Sequence, residues 1–317
     1  MRKSMIGLAV AASIALPAAA IAQSHQFINI LTGGTSGVYY PLGVALSQIY
    51  NEKIEGVRAS VQSTRASVEN LNLIQTGKGE LALALGDSVA GAWEGDTELG
   101  FTGKLDKIRG ISALYPNYIQ IVASQASGIK TLADLKGKRV SVGAPRSGTE
   151  VNARQLLAAA GMSYADFGRT EYLPFGESVE LIKNRQLDAT LQSVGLGAAS
   201  IRDLASSVPI SVVEIPADVV AKVGSPAFIS ATIPANTYDG QTQDVQTAAI
   251  VNILVTSADL PDEIAYQMTK HLHEGRDTMI NAHAAAKGIT LEGALTAMPV
   301  PLHPGAERYY KEVGVAK

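Results

Sequence analysis

The 317-residue sequence carries 26 lysines and arginines against 29 aspartates and glutamates, and its formal net charge of −3 gives no support to nucleic-acid binding. It contains no cysteine, so it predicts neither disulfides nor a lipid anchor on an N-terminal cysteine. Its length suffices for two domains or lobes, and no stretch after the N-terminal segment is long and apolar enough to predict a transmembrane helix.

Residues 1–22 are typical of a secretory signal peptide. A short basic start at residues 1–4 is followed by an uncharged, largely apolar run at residues 5–16, and Ala20-Ile21-Ala22 offers a cleavage signal of small residues. The apolar run is too short for a permanent membrane anchor. We expect cleavage between Ala22 and Gln23, which predicts a soluble mature chain in the periplasm.

Short apolar runs then alternate with longer amphipathic runs, which is the pattern of βα units around a mainly parallel sheet. Predicted strands cover residues 27–31, 57–61, 81–85, 119–123, 138–143 and 189–193. Predicted helices cover residues 38–49, 67–76, 150–160 and 177–184, and another begins at residues 259–262 with a capping side chain and an early proline. Two glycine-ended strand-to-helix turns, well separated along the chain, predict two similar sheets, each with its own ligand-facing turn.

Those two turns carry the residues best suited to hold a small anion. At a strand-to-helix junction, free N–H groups and the positive end of the helix dipole face the carboxyl edge of the sheet, and small residues let a ligand approach the backbone. The candidate ligand-binding residues are Thr35, Ser36 and Gly37 in the first turn, and Ser147, Gly148 and Thr149 in the second. An alternative is that these hydroxyls only cap their helices.

Further candidates lie close to these turns or near strand ends, where open α/β sheets bind ligands. Arg65 and Arg146 could pair with a substrate carboxylate through their guanidinium groups, although most arginines are simply solvated. Asp87 could recognise a ligand ammonium group. The remaining candidates are Tyr39, Gln62, Ser88 and Gln192.

No motif for catalysis, a cofactor or a metal is complete. The run Gly143–Gly148 has the outer glycine spacing of a phosphate-binding loop, but Thr149 and Glu150 stand where the required lysine would follow. The glycines at residues 33–37 match neither a dinucleotide fingerprint nor a nucleophile elbow. His271 and His273 are two residues apart, which points them to different helix faces, and we expect both to be solvated. The sequence therefore predicts a binding protein without cofactor or metal.

Six blocks of the mature sequence stand out when they are taken together in order, namely residues 32–43, 67–71, 114–116, 132–143, 147–150 and 302–310. In this order they resemble the TAXI family of TRAP-transporter solute receptors, and the resemblance covers essentially the whole mature chain. It implies an α/β fold of the type II periplasmic-binding-protein class, with two α/β lobes joined by hinge strands and a ligand cleft between them. It also implies that Thr35, Ser36 and Tyr39 in one lobe, and residues 147–149 in the other, contact the ligand.

The same resemblance implies a small carboxylate ligand, with glutamate and related amino or dicarboxylic acids among those expected, and a TRAP-type membrane permease driven by an ion gradient as partner. Arg146 stands where the family often has glycine, and Arg65 occupies a variable position. Two extra positive groups near the cleft would favour a second carboxylate on the ligand.

We expect discontinuous lobes, with residues 23–114 and 228–317 in lobe one and residues 115–227 in lobe two. Closure about the hinge would bury the ligand, and the permease would distinguish the closed form from the open one. The alternative function is an exported ligand-sensing subunit that signals to a membrane histidine kinase. A periplasmic enzyme on the same fold would need a nucleophile–base pair, which the sequence lacks.

Overall fold

A computed structural model describes residues 25–316. The predicted signal peptide and its cleavage site lie outside the described residues. No helix within residues 25–316 combines the length and apolar character needed to cross a membrane.

The described chain folds into a ten-stranded mixed sheet covered by helices on both faces. The strands are β1 (Gln26–Leu31), β2 (Val57–Gln62), β3 (Leu81–Leu85), β4 (Ile108–Ser124), β5 (Arg139–Ser141), β6 (Arg169–Glu171), β7 (Ala189–Val194), β8 (Ile210–Val213), β9 (Ile229–Ile233) and β10 (Val245–Ser257). The helices are α1 (Tyr39–Lys53), α2 (Ser67–Gln75), α3 (Gly86–Glu94), α4 (Gly148–Ala159), α5 (Phe175–Lys183), α6 (Ala199–Ser207), α7 (Ala217–Lys222), α8 (Asp262–Glu274), α9 (Arg276–Ala282) and α10 (Pro304–Glu312).

The sheet runs in the order β2-β1-β3-β10-β4-β7-β5-β6, with β8 on β4 and β9 on β10. The strands β1, β2 and β3 are parallel in one lobe, and β5, β6 and β7 are parallel in the other. The long strands β4 and β10 pair antiparallel with each other and run through both lobes. The predicted α/β class is confirmed, but the two predicted sheets are joined into one path by these two strands.

Strand β4 is much longer than the predicted strand at residues 119–123, which is its carboxyl-terminal part. The sequence at Tyr115-Pro116-Asn117 was expected to precede a strand, and it lies inside one. Proline has no N–H to donate to a ladder and is tolerated where the pairing is irregular. Pro116 lies opposite Val251, and the register of β4 with β10 shifts between Val251 and Ile253.

Apolar residues pack on both faces of the sheet. In lobe one, Leu83 packs in the core that contains α1 and α8, whereas Ala82 and Ala84 pack in the core that contains α2 and α3. Strand β3 is therefore buried on both faces, as expected for a central strand covered by helices. In lobe two, α4 and α7 cover one face of β4, β5 and β7.

The predicted lobe boundaries stay predictions. Phe228, Ala248 and Ile250 pack in the same core as Leu156 of α4 and Val219 of α7. This packing favours a return to lobe one within β10 rather than at residue 228.

Helix starts differ from the predictions in several places, and α5 begins at Phe175 rather than at residue 177. Helix α4 begins at Gly148, two residues before the predicted start. Helix α3 begins at Gly86, directly after β3, where no helix was predicted. At α8 the N-cap residue is Pro261, while Asp259, which was expected to cap the helix, pairs with Lys107 at 2.7 Å.

Candidate functional site

A cleft of about 380 Å³ lies between the two lobes. This volume falls near the lower end of the range for small-molecule pockets. Segments from both lobes line it. The lining residues are 33–39, 63–67, Leu85 and Asn117 together with Ala144, 147–149, 174–177, Ser193 and Val194.

Four helices begin at this cleft, namely α1 and α2 from lobe one and α4 and α5 from lobe two. Their N-cap residues are Val38, Ala66, Ser147 and Pro174. The first N–H groups of a helix have no partner within the helix and carry the positive end of its dipole. Among these four described N-caps, only Ser147 uses its side chain as a cap, by accepting from the Glu150 N–H at 3.1 Å. The cleft is therefore an electropositive site built mainly from neutral groups.

The start of α2 is held in an unusual backbone conformation. Ala66 has φ 73° and ψ −148°, a region that residues other than glycine rarely occupy and that costs about 1–3 kcal/mol. The Ala66 N–H donates to Thr64 Oγ1 at 3.0 Å, and the Arg65 N–H donates to Glu69 Oε2 at 2.7 Å. These bonds stabilise the strained turn and place the beginning of α2 on the cleft wall.

Two hydroxyls of lobe two are well placed to donate to a ligand. Ser147 and Thr149 are each only 5% exposed and line the cleft. Ser147 Oγ accepts from Glu150, and Thr149 Oγ1 accepts from the Ser193 N–H at 3.4 Å. Because each hydroxyl oxygen acts as an acceptor in these bonds, its hydrogen remains available to an oxygen in the cleft.

Buried amide side chains connect the cleft wall to the strands that cross between the lobes. Tyr39 Oη donates to Asn252 Oδ1 at 2.5 Å, and Asn252 Nδ2 donates to Asn117 Oδ1 at 2.9 Å. Asn117 Nδ2 in turn donates to the Ser193 carbonyl at 2.9 Å. Burial raises the pKa of Tyr39 far above its ordinary value, so this phenol stays neutral. The network fixes the ring of Tyr39 and the floor of the cleft.

A second buried group links Asp87 of lobe one with Asn152 of lobe two. Asn152 Nδ2 donates to Asp87 Oδ2 at 2.7 Å, and Asn152 Oδ1 accepts from Ser193 Oγ at 2.8 Å. Burial raises the pKa of Asp87 to about 6, although the Asn152 side chain and nearby backbone N–H groups partly offset the shift. Asp87 is buried and lies outside the cleft lining.

The structure brings together eight of the thirteen predicted site residues. Those that line the cleft are Thr35, Ser36, Gly37, Tyr39, Arg65, Ser147, Gly148 and Thr149. Asp87, Ser88 and Gln192 are buried outside the lining, where Ser200 Oγ donates to Gln192 Oε1 at 2.7 Å. Gln62 is exposed at the end of β2 and accepts from Asn29 Nδ2 at 2.7 Å.

Neither predicted arginine presents a free guanidinium to the cleft. Arg65 pairs with Glu69, one turn further along the chain, with 2.9 Å between Arg65 Nη2 and Glu69 Oε1. Arg146 is exposed and lies outside the lining. Its φ is 64°, the left-handed region that glycine adopts most readily, which explains why glycine suits this position.

Sequence reasoning missed the wall of the cleft around residues 174–177. Phe175 and Glu177 lie in the first turn of α5, which follows the three-residue strand β6. That strand is too short to show a periodic pattern, so the strand-to-helix turn was not recognised. The other unpredicted lining residues are Gly33, Gly34, Val38, Ser63, Thr64, Ala66, Ser67, Leu85, Asn117, Ala144, Pro174, Gly176, Ser193 and Val194.

Direct contacts between the lobes show that the cleft is closed. The Ser200 N–H donates to the Ser36 carbonyl at 3.1 Å, and the Glu69 N–H donates to the Arg146 carbonyl at 3.3 Å. Gly148 lies so close to Ser67 that a Cβ there would approach Ser67 Oγ to 2.6 Å. A ligand in the cleft would therefore be enclosed by both lobes.

Comparison with known proteins agrees with this architecture. Residues 30–314 match the NMT1-like family. The chain belongs to the NMT1-like family. Within residues 25–316, no group of three or more histidine, aspartate or glutamate side chains could hold a metal ion.

Several solved structures are similar to this NMT1-like chain over most of its length. The periplasmic binding protein BugD is 12% identical over 92% of this chain and 98% of its own, with a TM-score of 0.58. A protein of Bordetella bronchiseptica RB50 is 17% identical over 90% of this chain and 82% of its own, with a TM-score of 0.56. The binding component of an ABC phosphonate transporter from Pseudomonas aeruginosa is 13% identical over 84% of this chain and 80% of its own, with a TM-score of 0.53. At these identities the similarity shows the fold, which is the predicted periplasmic-binding-protein fold with two α/β lobes.

Proposed function

We propose that this NMT1-like protein is a periplasmic solute receptor that binds a small carboxylate between its lobes and delivers it to a membrane permease. The observation that carries the proposal is the closed cleft, into which helices from both lobes direct their N-terminal ends. A carboxylate can accept hydrogen bonds from several of these N–H groups and from the hydroxyls of Ser147 and Thr149. No step of this function requires a chemical reaction.

Lobe closure couples binding to recognition by the permease. A ligand that contacts both walls stabilises the closed form, because the open form separates the donors of lobe one from those of lobe two. The contacts from Ser200 to Ser36 and from Glu69 to Arg146 form only when the lobes meet. A permease that binds the closed surface would then bind the loaded receptor in preference to the empty one.

The ligand class is tested by isothermal titration calorimetry on mature, ligand-stripped protein. The panel includes monocarboxylates, 2-oxoacids, dicarboxylates, L-glutamate and neutral sugars. We expect at least one carboxylate to bind and to reduce the radius of gyration in small-angle scattering, since closure makes the molecule more compact. Binding of sugars alone, or no response to any acid, would refute the proposal.

The identity of the membrane partner is tested by a transport assay. The sequence resemblance to TAXI receptors favours a TRAP-type permease, which uses an ion gradient. Proteoliposomes that contain a TRAP-type permease encoded beside this protein should take up the bound acid only when the receptor and a sodium or proton gradient are both present. Receptor-dependent activation of a histidine kinase without uptake would instead favour the sensing function.

A further inference from the structure

The charges around the cleft restrict the ligand more closely than the fold does. Of the cleft-lining residues in the described chain, only Arg65 and Glu177 carry a charge. Arg65 is already paired with Glu69 through two guanidinium nitrogens, with 2.9 Å between Arg65 Nη2 and Glu69 Oε1 and 3.3 Å between Arg65 Nε and Glu69 Oε2. A ligand carboxylate is therefore met mainly by neutral donors, and the cleft offers no unpaired cation to a second one.

The two ends of the cleft differ in chemistry. At the end where α2 meets α4, Gly148 packs against Ser67, and the buried hydroxyls of Ser147 and Thr149 lie beside it. At the end where α1 meets α5, the ring of Phe175 lies 3.7 Å from the position that a Cβ on Gly37 would occupy. The apolar lining residues on or next to the starts of α1 and α5 are Val38, Pro174 and Phe175, and Ser36 Oγ lies near them, 3.5 Å from the position of a Cβ on Gly176.

Glu177 adds a negative charge at the apolar end. It lies in the first turn of α5 and is exposed, so its carboxylate stays solvated beside the cleft. A second ligand carboxylate that reached this end would meet a like charge, which offsets the attraction of the N-terminal ends of α1 and α5. An α-ammonium group lies next to the ligand carboxylate, at the end where α2 meets α4, whereas Glu177 lies at the other end and Asp87 lies outside the lining and accepts from Asn152.

We propose that the cleft selects a monocarboxylate with an apolar tail over a dicarboxylate or an amino acid of the same length. The carboxylate binds the donors where α2 meets α4, and the tail packs against Phe175 where α1 meets α5. This inference rests on the proposed function and narrows its ligand class. It also replaces the expectation that Arg65 and Arg146 hold a second carboxylate, because Arg65 is paired with Glu69 and Arg146 lies outside the cleft lining.

Three five-carbon acids test the selection by calorimetry on the mature protein. Pentanoate and glutarate differ by the second carboxylate, and pentanoate and L-norvaline differ by the ammonium group. We expect pentanoate to bind at least about tenfold more tightly than glutarate or L-norvaline, since the second carboxylate of glutarate and the ammonium group of L-norvaline would each be buried without a partner, which is costly. Across the series from propanoate to pentanoate, affinity should rise by about fourfold for each methylene that enters an apolar site.

Matched variants identify the residues responsible. Phe175→Ala should flatten the chain-length series, whereas Tyr172→Ala, which removes an aromatic ring outside the cleft lining, should leave it unchanged. Glu177→Gln should narrow the gap between pentanoate and glutarate. Glu180→Gln is the control on the same helix, because Glu180 pairs with Lys183 and does not line the cleft.

Two results would overturn the selection while leaving the proposed function intact. One is tighter binding of glutarate or L-norvaline than of pentanoate, and the other is a chain-length series with no gain in affinity. If no acid of the series and no other carboxylate binds at millimolar concentration, both the selection and the proposed function fail.

Discussion

Gly148 offers the sharpest test of lobe closure. It is the first residue of α4, and a Cβ at this position would lie 2.6 Å from both Leu85 Cδ1 and Ser67 Oγ in the opposite lobe. Carbon atoms in contact are normally about 3.5–4.0 Å apart, so Gly148→Ala requires a shift of about 1 Å. Ser67 cannot easily move, because its Oγ accepts from the Leu85 N–H at 3.1 Å.

The cost of this overlap sets the expected magnitude. Inserting a methyl group into a packed contact costs about 1–3 kcal/mol, which corresponds to about 5- to 150-fold weaker binding when the contact exists only in the closed form. The open, ligand-free form lacks this contact, so its melting temperature should stay unchanged while the affinity for the ligand falls.

The assay is calorimetry with pentanoate and L-glutamate, using whichever acid the wild type binds. Gly34→Ala is the matched control, since Gly34 also lines the cleft and its Cβ would have no atom within 4 Å. Unchanged affinity in Gly148→Ala, or an equal loss in Gly34→Ala, would refute the argument that these lobes close on Gly148.

Three further predictions follow from single buried or strained residues. Burial raises the pKa of Asp87 from 3.8 to about 6, so the folded protein holds the proton of this carboxyl group more tightly than the unfolded chain does. The free energy of unfolding should therefore fall by up to about 3 kcal/mol as pH rises from about 4 to 6. Urea titrations at several pH values should show this dependence in the wild type and not in Asp87→Asn; a dependence that persists in the variant would assign it to other groups. Arg146 has a positive φ of 64°, which glycine adopts without strain, so Arg146→Gly should raise the unfolding free energy by about 1 kcal/mol. The affinity for the carboxylate should change less than tenfold, and a lower unfolding free energy would contradict this reasoning. His303 is 1% exposed, accepts from the Gly305 N–H at the start of α10 and bonds the Leu260 carbonyl through Nε2. His303→Ala should therefore lower the unfolding free energy by about 1–3 kcal/mol in the same urea titrations. A change below about 0.5 kcal/mol would show that these bonds contribute little to stability.

The sequence by itself determined the local elements. The run Leu81–Leu85 predicts a strand buried on both faces, and every one of its residues is buried. The turn at residues 147–149 predicts free donors at a helix start, and all three residues line the cleft. Such features are readable because strand and helix periodicity, turn residues and helix ends depend on neighbours within a few positions.

Only the tertiary structure decided which of these local features meet. Strands β4 and β10 join the lobes through pairs more than a hundred residues apart, and no local pattern encodes such partners. The same long-range packing places Phe175 and Glu177 beside the first turn, and it buries Asp87 against Asn152 outside the cleft lining. Side-chain chemistry is local, but the role of a side chain depends on what the fold brings within a few ångströms of it.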